Sequence, residues 1–199
     1  MKKGIYLGID TEFTGQHPHK NGLIEIALIV LDKDLAEIAH FETLVIPPEG
    51  VEISKESMNI NHIDLDKVNA EGIDYEELVK KMTRFVRKYF ENKPILFAHF
   101  IPMDFAYLNY IFDSVGKNNL FWRELIGHSA IDTKVLANTI NLQLIRKGKE
   151  PMFKSTSLSS PGGLTDILGI TDYEAHTALG DIRATSQVLI KLLDILEDL

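Results

Sequence analysis

Asp10 and Glu12 stand one residue apart at the end of an apolar run. In an extended strand, residues i and i+2 project to the same side. Two like charges side by side repel and are costly to desolvate. Either the strand emerges into solvent and the acids are hydrated, or a divalent cation that favours hard oxygen ligands offsets them. Asp104 falls in the first turn of an expected helix, where an acid serves the helix dipole. The same spot, just past a parallel strand, is where α/β sheets place ligand sites. His176 and Asp181 frame the start of the last expected helix. Five residues at ~100° each put them about 140° apart if both are helical. They meet only if His176 lies outside the helix, on a loop that folds back before an N-cap at Thr177.

These side chains need elements to carry them. Residues 4–15 read as the first strand, an apolar run ending in the acid pair, and a polar loop over 16–21 with Gly15, Pro18 and Gly22 as breakers follows. Residues 23–31 are almost wholly apolar, as in a central strand covered on both faces. Glu25 interrupts that run, either at an exposed start or aimed at the acids. Asp32-Lys-Asp34 suits a tight turn into a third strand over 36–46. Short turns between three strands predict an antiparallel meander. Ser54 is placed to cap a short helix ending before Asn59. Asp74-Tyr-Glu-Glu77 has capping-box form, and Leu78, Met82, Phe85, Val86 and Phe90 follow at helical spacing. The lysines and arginines between residues 80 and 88 fall on the other side, as a solvated face or a nucleic-acid patch. Residues 94–98 read as a buried strand, 99–102 as its exit loop and 103–115 as a helix stopped by Gly116. A strand over 128–132 and a helix from 133 to about 145 come next, then a basic loop with Arg146, Lys147, Lys149 and Lys154. Residues 155–160 are expected to begin a helix that Pro161-Gly162-Gly163 interrupts and 164–168 resume. The last helix is expected over 177–196, with Leu179, Ile182, Thr185, Leu189, Leu192 and Leu196 as its buried stripe.

The chain has 199 residues, a net charge of −8 and 45% hydrophobic content. That is enough for one core and one domain over residues 1–199. No apolar run reaches membrane-spanning length, so no membrane partner is expected. The opening Met1-Lys-Lys-Gly-Ile-Tyr-Leu is too short an apolar stretch for a signal peptide. Cysteine is absent, which excludes disulfides and thiolate metal sites; a cytoplasmic location is the default expectation. The acidic balance excludes a broad, non-specific grip on nucleic-acid backbone, which needs a dense basic surface. It leaves room for a short nucleic-acid end held in a cation-bearing cleft.

Asp10-Thr-Glu-Phe-Thr-Gly15, Ala98-His-Phe-Ile-Pro-Met-Asp104 and His176-Thr-Ala-Leu-Gly-Asp181 together resemble the three motifs of the DEDDh 3′→5′ exonucleases, the group of RNase T, oligoribonuclease and polymerase proofreading subunits. Ile24-Glu-Ile-Ala27, Asn61-His-Ile63 and Ile131-Asp-Thr133 agree with the same pattern. Phe100 departs from it, standing where an asparagine is usual, and so does the break at Pro161-Gly162-Gly163. The resemblance implies a ribonuclease-H-like α/β fold, with a mixed five-stranded sheet, a three-strand meander and flanking helices. It implies release of nucleoside 5′-monophosphates from the 3′ end of single-stranded RNA or DNA by two-metal hydrolysis. Asp10, Glu12, Asp104 and Asp181 would hold two Mg²⁺ ions, with Mn²⁺ as a substitute, and His176 would be the general base. Activity would then rise on the alkaline side as His176 loses its proton. Thr14 and Gly15 are placed for backbone contact with the 3′ end, while Phe13 and Phe100 either stack on a base or pack in the core. His62 and His99 complete the expected substrate contacts. The segment from Asp10 to Ile46 resembles oligoribonuclease, whereas His40-Phe41 through Asn61-His-Ile-Asp64 resembles RNase T, so the substrate is left open between them. Both are homodimers, which implies a homodimer here. The competing reading is a catalytically silent module of the same fold that binds nucleic acid or docks on a polymerase; it predicts the loss of one of the five residues, and all five are present.

Overall fold

The structure, a computed structural model, describes residues 3–199 apart from the side chain of Glu124; the start of the N-terminal segment read above, Met1 and Lys2, lies outside the described residues. Strands β1 (Tyr6–Phe13), β2 (Leu23–Leu31), β3 (Glu37–Leu44), β4 (Ile95–Ala98) and β5 (Ala130–Asp132) form one sheet in the order β3-β2-β1-β4-β5. β1, β2 and β3 pair antiparallel, and β4 and β5 continue parallel to β1. This is the mixed sheet and meander that the sequence predicts, and the fold is ribonuclease-H-like.

Period-two alternation divides β1 between two cores. Leu7 and Ile9 face α3 (Tyr75–Tyr89) and α4 (Pro102–Ser114), where Leu78, Met82, Val86, Leu108 and Ile111 are buried with them. On the other face Ala27, Ile29 and Phe97 pack against Ile182 and Leu189 of α8 (Ala178–Glu197). Gly8 is needed here: a Cβ at that position would run into Phe97, Ile29 and Ile182. The missing side chain lets α8 lie close to β1, two residues before Asp10. The pairing of β1 with β4 ends at Gly8 opposite Phe97, whereas β1 stays paired with β2 as far as Phe13. Asp10 and Glu12 therefore project past the end of β4, where its exit loop turns away.

The remaining helices are α1 (Lys55–Asn61), α2 (Leu65–Glu71), the short α5 (Asn118–Leu120), α6 (Thr133–Arg146) and α7 (Leu164–Ile167), with one π-helical turn at Phe121–Leu125. α1 runs three residues past its expected end and closes on His62 in the left-handed conformation (φ 54°). The helix expected over 155–160 is absent; the chain there is a bent loop. Just before it, Asn141 of α6 pairs with Phe153, donating from Nδ2 to its carbonyl and accepting at Oδ1 from its amide. No described helix is long and apolar enough to cross a membrane.

Candidate active site

Asp10 and Glu12 come from the overhanging end of β1, and Asp181 from the first turn of α8. One carboxylate oxygen from each lies within 4.8 Å of the others. The N-terminus of α8 is anchored twice. Thr177 caps it, its Oγ1 accepting from the Gly180 amide at 3.1 Å, and Glu25 Oε2 accepts from the Ala178 amide at 2.9 Å. Glu25 thus serves the start of α8, a role its position in β2 does not reveal. Because α8 starts at Ala178, His176 lies outside it, at φ 64°. Its backbone N–H donates to Asp181 Oδ2 at 3.3 Å. This is the fold-back that brings the histidine and the acid to one place. Gly180 permits it, since a Cβ there would collide with the Glu174 carbonyl.

Asp104 arrives from the opposite face of the sheet, in the first turn of α4. It is buried, and its Oδ1 accepts from the Thr11 hydroxyl at 2.7 Å. It stands outside the 4.8 Å group, yet its charge acts on Asp10. Burial, then Asp104, Glu12 and Asp181, push the Asp10 carboxyl well above the usual range. Burial first, then Asp181, raise Glu12 to about 8. Burial brings Asp104 to about 7 against the pull of Thr11, and Asp181 to about 6 against the pull of His176. Asp181 Oδ1 is buried with no hydrogen-bond partner among the described residues. Crowded hard oxygen donors, each disfavouring its own charge, and one orphaned carboxylate oxygen fit a divalent cation.

The acids open into a cleft of about 650 Å³ lined also by Asn59, Ile60, His62, His99, Phe100, Lys134, Ser157–Pro161 and His176. The rings of His62 and His176 lie edge to face, 6.2 Å apart. Asn61 ties α1 to the site by hydrogen bonds to the Phe13 carbonyl and to Glu12. His99 Nδ1 is 2.9 Å from Thr133 Oγ1, and burial pulls its pKa down to about 4, so it is neutral at pH 7. Of the expected substrate contacts, His62, His99 and Phe100 are on the cleft wall. Phe13, Thr14 and Gly15 are not brought there. Thr14 is fully buried, its hydroxyl donating to the Glu52 carbonyl and accepting from the Gly22 amide. Phe13 stacks on Tyr107 at 4.6 Å, and the Tyr107 hydroxyl donates to the Gly15 carbonyl at 2.6 Å. These three shape the turn behind the acids. The basic residues 146–149 and 154 lie off the cleft wall, and those of α3 line a separate groove.

The family model described as Exonuclease, the RNase T family, matches residues 7–189. Ribonuclease T of Wigglesworthia glossinidia brevipalpis is 25% identical over 203 residues, covering 96% of this chain and 86% of that protein. The DNA polymerase III epsilon subunit of Treponema pallidum is 25% identical over 94% of this chain and 76% of its own length. Among solved structures, Escherichia coli exonuclease I in complex with a dT13 oligonucleotide superposes with a TM-score of 0.72 at 17% identity, over 96% of this chain and 41% of that one. The chain thus spans about two fifths of the exonuclease I chain, a likeness of fold.

Proposed function

The chain belongs to the exonuclease family and is a 3′→5′ exonuclease, and from that premise we propose that it hydrolyses single-stranded RNA or DNA to nucleoside 5′-monophosphates with two Mg²⁺ ions. The observation that carries this reading is the convergence of Asp10, Glu12 and Asp181 beside His176 at the mouth of one cleft. Asp10, Glu12 and Asp181 would hold the ions, with Asp104 completing the set from the far face of the sheet. When bound, such ions activate a water and neutralise charge on the phosphoryl oxygens. His176 takes a proton from the attacking water. Its left-handed backbone and its bond to Asp181 aim the ring into the cleft rather than into the helix. The water oxygen bonds to phosphorus, the bond from phosphorus to the upstream 3′ oxygen breaks, that oxygen takes a proton from solvent, and His176 gives its proton up to solvent. His62, edge to face with His176 on the cleft wall, bounds the space for the terminal nucleotide. Mn²⁺ would substitute for Mg²⁺, and a homodimer in the cytoplasm is the proposed working form.

The test uses 5′-labelled single-stranded RNA and DNA, each as a dinucleotide and a 20-mer, with Mg²⁺. A ladder shrinking from the 3′ end, abolished by EDTA and by Asp10→Ala, is expected. Preference among the four substrates separates an RNase T-like enzyme from an oligoribonuclease-like one. No cleavage with either Mg²⁺ or Mn²⁺ would favour a silent binding module.

A further inference from the structure

The wall of the cleft that Phe100 and Lys134 form carries a feature unrelated to the acids. Phe100 sits in the left-handed conformation (φ 63°), which is unfavourable for a bulky residue, and is 46% exposed. Strain of this kind persists only where the surroundings hold it. The Asp132 carboxylate does so, accepting from the Phe100 amide at 3.2 Å and the Ile101 amide at 3.1 Å. The same carboxylate caps α6, accepting from the amides of Lys134 and Val135. One buried-side anchor therefore fixes both the ring of Phe100 and the root of Lys134, whose ammonium lies 4.6 Å from the ring centroid. Among the described residues lining the cleft, Lys134 is the one lysine or arginine.

We propose that Lys134, parked on the Phe100 ring, binds the phosphate upstream of the scissile one, making the enzyme select substrates that carry a second backbone charge. This rests on the exonuclease reading of the same cleft. The nucleotide released from a 3′ end contains only the scissile phosphate, so any other phosphate in the cleft lies upstream. Lys134 follows β5, which is two strand spacings, or roughly 10 Å, from β1 and its acids. That offset sets the root of Lys134 to one side of the acids, on the cleft wall that it shares with Phe100. An ammonium held on an aromatic face is only weakly bound, so a phosphate draws it away at small cost. Phe100 is left to support the adjoining base. Asp132 is a positioning residue that acts through both.

The experiment compares two trinucleotides, one with two phosphodiesters and one whose upstream linkage is an uncharged methylphosphonate. Wild type is expected to show a KM about tenfold lower for the charged one, the size of one charged hydrogen bond. Lys134→Gln should abolish that difference, and Lys134→Arg should keep it. The p-nitrophenyl ester of thymidine 5′-monophosphate, which has no upstream phosphate, reports the chemistry separately. A methylphosphonate penalty that survives in Lys134→Gln overturns the proposal, as does the absence of any penalty in wild type. If wild type hydrolyses none of the three, the exonuclease reading fails; the affinities of the two trinucleotides in Ca²⁺ then read Lys134 alone, by the same criteria.

Discussion

Glu12 illustrates what the site asks of single residues. Its folded-state carboxyl titrates near 8, against 4.5 for an ordinary glutamate. As pH rises from about 4, the unfolded carboxylate ionises first while the folded one resists. The metal-free fold therefore loses stability from Glu12 progressively up to about pH 8, and below about pH 4 there is no penalty. Glu12→Gln is expected to raise the Tm of EDTA-treated protein at pH 8 and to leave it nearly the same at pH 4, as read by thermal unfolding. The same protons compete with cations. With Glu12 near 8, Asp104 near 7 and Asp181 near 6, the Mg²⁺ concentration for half-maximal activity should fall as pH is raised from 6 to 8, in a metal titration at each pH. His176→Ala is expected to cost about 10²–10⁴ in kcat, measured at saturating metal and substrate. At this scale the five central residues were legible, because their types and local spacing carry the pattern. Of the two readings left for Phe13 the structure shows the packed one, on Tyr107 of α4, and Thr14 is sealed between Gly22 and Glu52, because adjacency in sequence to Glu12 says nothing about burial. Lys134 was missed because its partners, Phe100 and the cleft, are brought to it only by the parallel strands.

The elements do the aiming. α8 brings Asp181 to Asp10 because Gly8 clears its path and because Thr177 and Glu25 tie down its first turn. Thr177→Ala should lower unfolding stability by about 1 kcal/mol, the usual worth of an N-cap, with Thr177→Ser restoring it. Urea denaturation would show a lower midpoint at equal slope. The activity of Thr177→Ala should fall further than its stability suggests, since His176 hangs from the same turn. Strands and long helices were legible because apolar periodicity is strong in them. The loop over 155–160 was not: in place of a helical ladder, serine hydroxyls accept from its amides, Ser155 from Ser157 and Ser157 from Ser160, and its Ser157 and Leu158 carbonyls accept from the amides of Leu164 and Thr165. α2 and the π-helical turn were likewise invisible, being short segments whose burial is supplied by the rest of the fold.

For the molecule as a whole, a net charge of −8 and an acidic cleft with one lysine on its described wall imply grip on a strand end rather than on its length. Each phosphate neutralised on a single strand contributes a slope of about −0.7 in a plot of log affinity against log salt. With Lys134 as the one cleft cation, the slope for a 20-mer in Ca²⁺ should stay near that of a trinucleotide. The measurement that bears most directly on the whole account is the count of Mn²⁺ ions bound per chain, by electron paramagnetic resonance at pH 8 with a nucleoside 5′-monophosphate present. Four carboxylates gathered from both faces of the sheet predict two ions, lost in Asp10→Ala. Binding of no ion, or equal binding in Asp10→Ala, would contradict it.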